Sequence, residues 1–163
     1  MRVGLIGVGR IGAAHAEVVA AHPDVESVVV ADSDPDRSRQ VADKVGAVWA
    51  REPADTFHGT DAVIVAAPTA AHPDLIIEGV RAGLPVFSEK PVAPDVEGHL
   101  YVLAEVRRAG VPVQIGFQRR FDAGYLAARD ALRSGRLGEL RRVHVVTADR
   151  EPPPADYIAR SGG

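Results

Sequence analysis

The stretch that decides the fold is "RVGLIGVGRIGAAHAEVVA", residues 2–20. A short apolar run at 3–8 leads into the glycines Gly7, Gly9 and Gly12, and the segment after them has helical spacing. Glycines at these intervals permit a tight turn, let a phosphate approach the backbone, and bring the helix close to the strand. The stretch therefore predicts a strand, a glycine-rich turn and a helix whose N-terminus can bind an anion.

The rest of the chain alternates short β-branched runs with longer segments of helical spacing. This alternation is typical of βαβ units around a parallel sheet, so we predict an α/β fold with a doubly wound Rossmann sheet over residues 1–117. The predicted strands lie at 3–8, 25–32, 47–50, 62–67, 84–88 and 111–117, and the main predicted helices at 11–21, 35–45, 73–82 and 94–109.

The second predicted strand ends in Asp32, twenty residues after Gly12. A carboxylate at this point can accept hydrogen bonds from both ribose hydroxyls of an adenosine and would repel a 2′-phosphate. Asp32 can alternatively be read as a turn residue within "DSDPD". The strand, the glycines, the helix and the acid together favour a dinucleotide site that prefers NAD to NADP.

The fifth predicted strand ends in "VFSEKPVAPD", residues 86–95, which contains one of only two lysines in the chain. The other seventeen basic residues are arginines, which stay protonated, whereas a lysine near apolar residues can exchange a proton. Ligands of open parallel sheets gather at the carboxyl ends of the strands, so Lys90 should face the cofactor side. The alternative is a solvated surface charge.

Composition excludes several other functions. The net charge is −3, with 10 basic and 16 acidic side chains in residues 1–115 and 9 and 6 in the remainder, which is too weak a basic bias to predict a nucleic-acid partner. The absence of cysteine excludes disulfides and a thiolate nucleophile. The histidines form no metal-binding pattern, so we expect no metal. The apolar N-terminal run is too short for a signal peptide or a membrane span, so we predict no membrane partner and a cytoplasmic location.

Several longer motifs carry a family resemblance. The segments "VADSDPDR", "APTAAHPDLIIEGVRAGLPVFSEKPVAPD" and "IGFQRRFDAGY" resemble the glucose-fructose oxidoreductase, inositol dehydrogenase and MocA-type family of NAD(P)-dependent sugar dehydrogenases. "FQRRFD" and "ADREPPPADYIARSGG" are similar to segments of its inositol dehydrogenases. The resemblance implies hydride transfer from a secondary hydroxyl of a cyclitol or sugar, such as myo-inositol, to NAD. It also implies that Lys90 is catalytic, holding the reacting hydroxyl and taking part in proton transfer, and that Pro91 follows a cis bond.

The same resemblance implies roles for further residues. His72 would line the nicotinamide side, with an early-helix polar residue as the alternative, and Arg119 would point toward the substrate, with a helix cap as the alternative. Asp149 and Arg150 would contact substrate or merely lie in a solvated loop. The full set of expected cofactor contacts is Gly7, Gly9, Arg10, Ile11, Gly12, Asp32, Ser33, Arg37, Ala67, Pro68, Thr69, His72, Glu89 and Lys90, and the expected substrate contacts are Lys90, Arg119, Asp149 and Arg150.

Residues 118–163 are predicted to begin a C-terminal domain that binds substrate and forms a homo-oligomer. They read as one helix at 122–135, with Asp122 as N-cap, and one strand at 140–149, which cannot form a sheet alone. The family resemblance implies a continuation that contains an aspartate and a general-base histidine, so we expect this chain to be the N-terminal part of a longer dehydrogenase and inactive by itself. The alternative function is a non-catalytic NAD(H)-binding module or sensor.

Overall fold

The computed structural model describes residues 1–148, 151, 152 and 155. The chain divides into two compact units, Met1–Gly116 and a second that begins at Phe117. Each unit is described by itself.

The first unit is built on one sheet of six strands, and every neighbouring pair is parallel. The strands are β1 (Arg2–Ile6), β2 (Ser27–Ala31), β3 (Val48–Trp49), β4 (Ala62–Val65), β5 (Val86–Ser88) and β6 (Val113–Ile115). All six predicted strands are confirmed, each shorter than the apolar run that predicted it. The strand order is β3-β2-β1-β4-β5-β6, so the order reverses between β1 and β4.

Helices connect the strands where helical spacing predicts them. The Asp34 side chain accepts hydrogen bonds from the N–H groups of Asp36 and Arg37 in the first turn of its helix, and Asp95 caps another helix by accepting one from the Gly98 N–H. Gly46 and Gly110 end these two helices in the left-handed region.

In the described part of the chain, no helix combines the length and apolar character needed to cross a membrane. The helices are α1 (Arg10–Ala20), α2 (Pro35–Val45), α3 (His72–Arg81) and α4 (Val96–Ala109).

The core lies on both faces of the sheet because consecutive strand residues point to opposite sides. Leu5 packs in a cluster with buried residues of α1 and α2, whereas its neighbour Ile6 packs with buried residues of α3 and α4. Burying each such side chain contributes about 1.5–3 kcal/mol. The sheet is therefore held rigidly between two layers of helices.

The strand register aligns the carboxyl ends of the strands. Ile6 pairs with Ala31 on one side and with Val65 on the other, while Ser88 pairs with Val65 and Ile115. The residues that come next along the chain therefore share one edge of the sheet. They are Gly7, Asp32, Ala66, Glu89 and Gly116.

The second unit contains the helix that the sequence predicts, α5 (Ala123–Arg133). The Asp122 carboxylate accepts a hydrogen bond from the Tyr125 N–H at 3.0 Å, which confirms the predicted N-cap. The predicted strand at 140–149 is wrong for its described part, because residues 140–148 form no strand. A strand requires a hydrogen-bonded neighbour, and no other strand occurs in the described part of this unit.

Candidate active site

The glycine-rich turn packs directly against the chain that follows β4. Gly7 has a positive φ of 89°, and a Cβ atom there would lie 2.5 Å from the Ala67 nitrogen. A Cβ at Gly12 would overlap the carbonyl oxygen of Gly7. Both positions therefore exclude any side chain, and their close contact places the start of α1 in the crevice between β1 and β4.

Gly9 differs from the other two glycines because its surroundings are open. It is the N-cap of α1, it makes no side-chain capping bond, and a Cβ there would meet no atom within 4 Å. Arg10 and Ile11 follow in the first turn, and both are exposed. The first-turn N–H groups and the positive end of the helix dipole are thus accessible to an anion. The space at Gly9 fits a phosphate group.

The Asp32 side chain is 7% exposed and fixed by four hydrogen bonds. One oxygen accepts from the Val8 N–H at 2.7 Å, and the other accepts from the Asp34 N–H at 2.9 Å, the Ser33 hydroxyl at 3.2 Å and Arg37 at 2.6 Å. Burial opposes ionisation of Asp32, but the hydrogen bond from Arg37 and those from the two backbone N–H groups outweigh it and lower the carboxyl's pKa. Asp32 is therefore a preoriented carboxylate beside the glycine turn.

Glu89 connects the end of β5 to α1. Its carboxylate oxygen Oε1 lies 2.9 Å from Nε2 of His15, and the His15 ring lies edge-on to Phe87 with 5.6 Å between ring centres. Its other oxygen accepts a 3.3 Å hydrogen bond from the backbone N–H of Lys90. The carboxylate thus links the glycine-turn helix to the loop that carries Lys90.

Lys90 is exposed and lies in the loop that follows β5. The Lys90–Pro91 peptide bond is cis, as the family resemblance implied. Within the described residues, the Lys90 ammonium has no hydrogen-bond partner. It is therefore available to a ligand, and no apolar burial of the amine is observed.

His72 begins α3 and is only 1% exposed. Its Nδ1 lies 2.6 Å from the Pro91 carbonyl oxygen and its Nε2 lies 2.8 Å from the Ala67 carbonyl oxygen. Both nitrogens are therefore occupied by the backbone, so any effect of His72 on a ligand would act through these two loops. Pro68 and Thr69, in contrast, lie at the start of a short 3-10 helix, Thr69–Ala71, near the end of β4.

The predicted substrate contacts other than Lys90 lie in a later part of the chain. Arg119 is in the second unit, where its guanidinium donates a 2.7 Å hydrogen bond to the Tyr125 hydroxyl and lies 5.2 Å from the centre of that ring. The cap of α5 is Asp122, so Arg119 does not serve as its N-cap. Asp149 and Arg150 fall outside the described residues, and their substrate roles stay predictions.

Sequence reasoning missed two contacts at this edge. His15 was assigned no role, although it hydrogen-bonds Glu89 across 74 residues of sequence. The helical spacing of His15, one turn after Gly12, was the available signal, because it placed the imidazole on the helix face that carries the glycine. No side chain in the sequence could indicate the hydrogen bond from the Val8 N–H to Asp32, because its donor is a backbone group.

Comparison with known proteins identifies relatives across the whole chain. Residues 1–117 match the GFO_IDH_MocA model, described as an oxidoreductase family with an NAD-binding Rossmann fold. The chain is 39% identical to inositol 2-dehydrogenase of Rhizobium meliloti (strain 1021) and 35% identical to scyllo-inositol 2-dehydrogenase (NAD(+)) of Bacillus subtilis (strain 168). Both alignments cover 100% of this chain but only 50% and 49% of the relatives, so the chain spans about half their length.

A solved structure shares the fold and holds ligands. It is scyllo-inositol dehydrogenase of Lactobacillus casei with bound NAD(H) and scyllo-inositol, which matches with a TM-score of 0.80 and 26% identity over 85% of this chain and 42% of that protein. The matched family model and the strand order agree on a Rossmann fold. The chain therefore belongs to the Gfo/Idh/MocA family of oxidoreductases, which has an NAD-binding Rossmann fold.

Proposed function

We propose that the protein binds NAD in the crevice between β1 and β4 and that the intact enzyme oxidises a secondary hydroxyl of a cyclitol or sugar. The observation that carries the proposal is the pairing of two features at one sheet edge. Gly9 leaves the N-terminus of α1 open, and Asp32 presents a preoriented carboxylate at the end of the adjacent strand β2. An anion site and a hydroxyl acceptor at this spacing suit the diphosphate and ribose of a dinucleotide.

The cofactor would contact first the backbone of α1 and then Asp32. The diphosphate would accept hydrogen bonds from the first-turn N–H groups, among them those of Arg10 and Ile11. Oδ2 of Asp32 accepts only from the Val8 N–H, so one acceptor position on it is open to a ribose hydroxyl. Oδ1 already accepts from three donors, so a hydroxyl there must displace Ser33 or Arg37, both exposed, while the two backbone N–H bonds keep the carboxylate aligned.

Asp32 would favour NAD over NADP because its negative charge repels a 2′-phosphate. Arg37 reduces this discrimination, since its guanidinium lies 2.6 Å from the same carboxylate. The hydrogen bond to Asp32, opposed by partial burial, raises the pKa of Arg37, so the cation is permanent. We therefore propose NAD as the preferred cofactor and NADP as a weaker one.

Lys90 would act on the alcohol. Bound NAD supplies the nicotinamide ring that accepts the hydride. The Lys90 ammonium would donate a hydrogen bond to the reacting hydroxyl and stabilise the negative charge that develops on its oxygen, while the proposed downstream histidine would take the proton. Glu89, held by His15, would orient the backbone on which Lys90 stands, so the protein contributes chiefly by positioning.

The substrate class is supported by the relatives. Two of them are named as inositol dehydrogenases, and the Lactobacillus casei structure holds scyllo-inositol. Because the chain spans about half the length of these relatives, activity of the whole protein on a cyclitol remains a proposal. The same holds for substrate contacts at Arg119, Asp149 and Arg150, for a downstream histidine base, and for a homo-oligomer.

The test combines binding and turnover in the full gene product. Calorimetric titration with NAD and NADP should show the tighter binding for NAD. Formation of NADH should then be followed with myo-inositol, scyllo-inositol and a panel of hexoses, with turnover expected for at least one cyclitol. Failure of correctly folded protein to bind either dinucleotide would overturn the proposal. Binding of NAD without turnover of any polyol would favour the non-catalytic module instead.

A further inference from the structure

One buried imidazole joins two loops of the candidate site. Both ring nitrogens of His72 face backbone carbonyl oxygens. Nδ1 lies 2.6 Å from the carbonyl oxygen of Pro91, and Nε2 lies 2.8 Å from that of Ala67. Pro91 directly follows Lys90, and Ala67 lies just beyond β4. A single ring therefore ties the lysine loop to the end of the central strand β4.

The chemistry of the two partners determines what the ring can do. A backbone carbonyl oxygen only accepts hydrogen bonds, so the ring binds its partners as a donor. Both ring nitrogens lie within 3 Å of a carbonyl oxygen and the ring is 1% exposed, so the imidazole is held between two backbone segments and shielded from water.

We infer that His72 is a clamp that positions Lys90 relative to the end of β4, and this inference rests on the proposed dehydrogenase function. The clamp continues toward the cofactor site, because Ala67 also packs against Gly7 of the glycine turn. The chain of contacts thus runs from the glycine turn through Ala67, His72 and Pro91 to Lys90. His72 is a positioning residue, since its own nitrogens have no capacity left for a ligand.

A histidine with a purely structural role would be expected to have different hydrogen-bond partners. A histidine that only fills the core needs one donor bond, and its partners can belong to any element. Here both partners lie in loops at the carboxyl edge of the sheet, next to residues proposed to meet the nicotinamide and the alcohol. Loss of the clamp should therefore impair turnover more than binding of the dinucleotide.

The first measurement is the exchange of the ring N–H with water. In the full gene product labelled with ring-¹⁵N histidine, one of the six histidines should show a ring N–H that exchanges slowly, because the His72 ring is 1% exposed and both of its nitrogens face backbone carbonyl oxygens. Absence of any slowly exchanging ring N–H overturns the clamp, whatever the enzymatic activity.

The second measurement is kinetic and uses His72→Gln, which can donate from only one nitrogen. We expect kcat to fall about tenfold or more while KM for NAD stays within about threefold, because positioning affects the reacting geometry. The control is His58→Gln, at an exposed histidine, which should leave both constants unchanged. A His72→Gln enzyme with kcat within twofold of the wild type overturns the positioning role.

The outcomes separate the clamp from the proposed function. If the wild type neither binds NAD nor turns over a polyol, the proposed function fails, and with it the positioning role, while the exchange of the ring N–H still tests whether His72 bridges the two loops. If His72→Gln does not fold, His72→Asn provides the second variant, and the wild-type spectrum needs no variant at all.

Discussion

His15 and Glu89 form a 2.9 Å hydrogen bond between Nε2 of the imidazole and Oε1 of the carboxylate. The bond joins α1, which starts at the glycine turn, to the loop that follows β5 and contains Lys90. Both side chains are less than one third exposed, so solvent screens the contact only in part. It thereby couples the proposed diphosphate site to the proposed catalytic lysine.

A double-mutant cycle with His15→Ala and Glu89→Ala should reveal this coupling. We expect an interaction of about 1 kcal/mol in the free energy of unfolding, since both partners are partly buried and in direct contact. Urea denaturation followed by the fluorescence of Trp49, the single tryptophan, provides the measurement. The control cycle uses Lys44→Ala and Glu17→Ala, a 2.6 Å ion pair between exposed side chains that should couple more weakly. Equal coupling in the two cycles would contradict the expectation.

The contribution of Asp32 to stability should depend on pH. The folded-state pKa of Asp32 lies below the unfolded value of about 3.9, so its stabilisation is complete above about pH 5 and is lost as the pH falls through the folded pKa. The difference in unfolding free energy between wild type and Asp32→Asn should therefore be largest near neutral pH and shrink in acid. Denaturant titrations across this range provide the test, and a constant difference would refute it.

Gly9→Ala and Gly12→Ala should separate binding from folding. Gly9→Ala introduces a Cβ that meets no atom within 4 Å, so unfolding free energy should change by less than about 0.5 kcal/mol, whereas NAD affinity should fall about tenfold or more if the diphosphate passes there. Gly12→Ala forces a Cβ onto the Gly7 carbonyl oxygen and should destabilise the fold by about 2 kcal/mol or more. Calorimetry and denaturation measure the two effects. Unchanged NAD affinity in Gly9→Ala would remove the diphosphate from this position.

The two lysines provide a matched pair of variants. Lys90→Ala should lower turnover by about a hundredfold or more, as expected for loss of a cation that stabilises the reacting oxygen, with NAD affinity within about threefold. Lys44→Ala, at an exposed lysine in α2 that pairs with Glu17, should leave turnover unchanged. Steady-state kinetics and NAD titration of the full gene product provide the measurement. Near-normal turnover in Lys90→Ala would refute the catalytic role.

Asp32→Ala should shift the cofactor preference toward NADP. Removing the carboxylate removes the repulsion of a 2′-phosphate and leaves Arg37 free to contact it, so the ratio of NADP to NAD affinity should rise about tenfold or more. Asp32→Ala combined with Arg37→Ala should lose most of this gain. Titrations of both variants with both dinucleotides decide the matter, and an unchanged ratio would show that Asp32 does not discriminate.

The elements of the first unit were predictable because their causes are local. Apolar runs predicted all six strands, even the two-residue β3, and Asp34 and Asp95 cap helices that begin next to them. The glycine turn was predictable for the same reason, because its conformation depends on the missing Cβ of a few neighbouring residues. The predicted strand at 140–149 failed because strand formation depends on a partner and not on alternation alone.

The contacts that define the site were harder to predict because they join distant segments. His15 meets Glu89 across 74 residues, and the His72 ring bonds a carbonyl 19 residues away. The residue types alone do not indicate such pairings, because the pairings depend on the order and register in which the strands assemble.

The amino-acid sequence alone determined the strands, the helices and the identity of the groups at the strand ends, because hydrophobic periodicity and backbone freedom act over a few residues. Only the tertiary structure decided which of these groups meet. Parallel pairing brings the carboxyl ends of β1, β2, β4 and β5 to one edge, where Asp32 meets the Val8 N–H and His72 meets the Pro91 carbonyl oxygen. The physical reason is that hydrogen bonding and packing between segments far apart in the chain exist only after the sheet has formed.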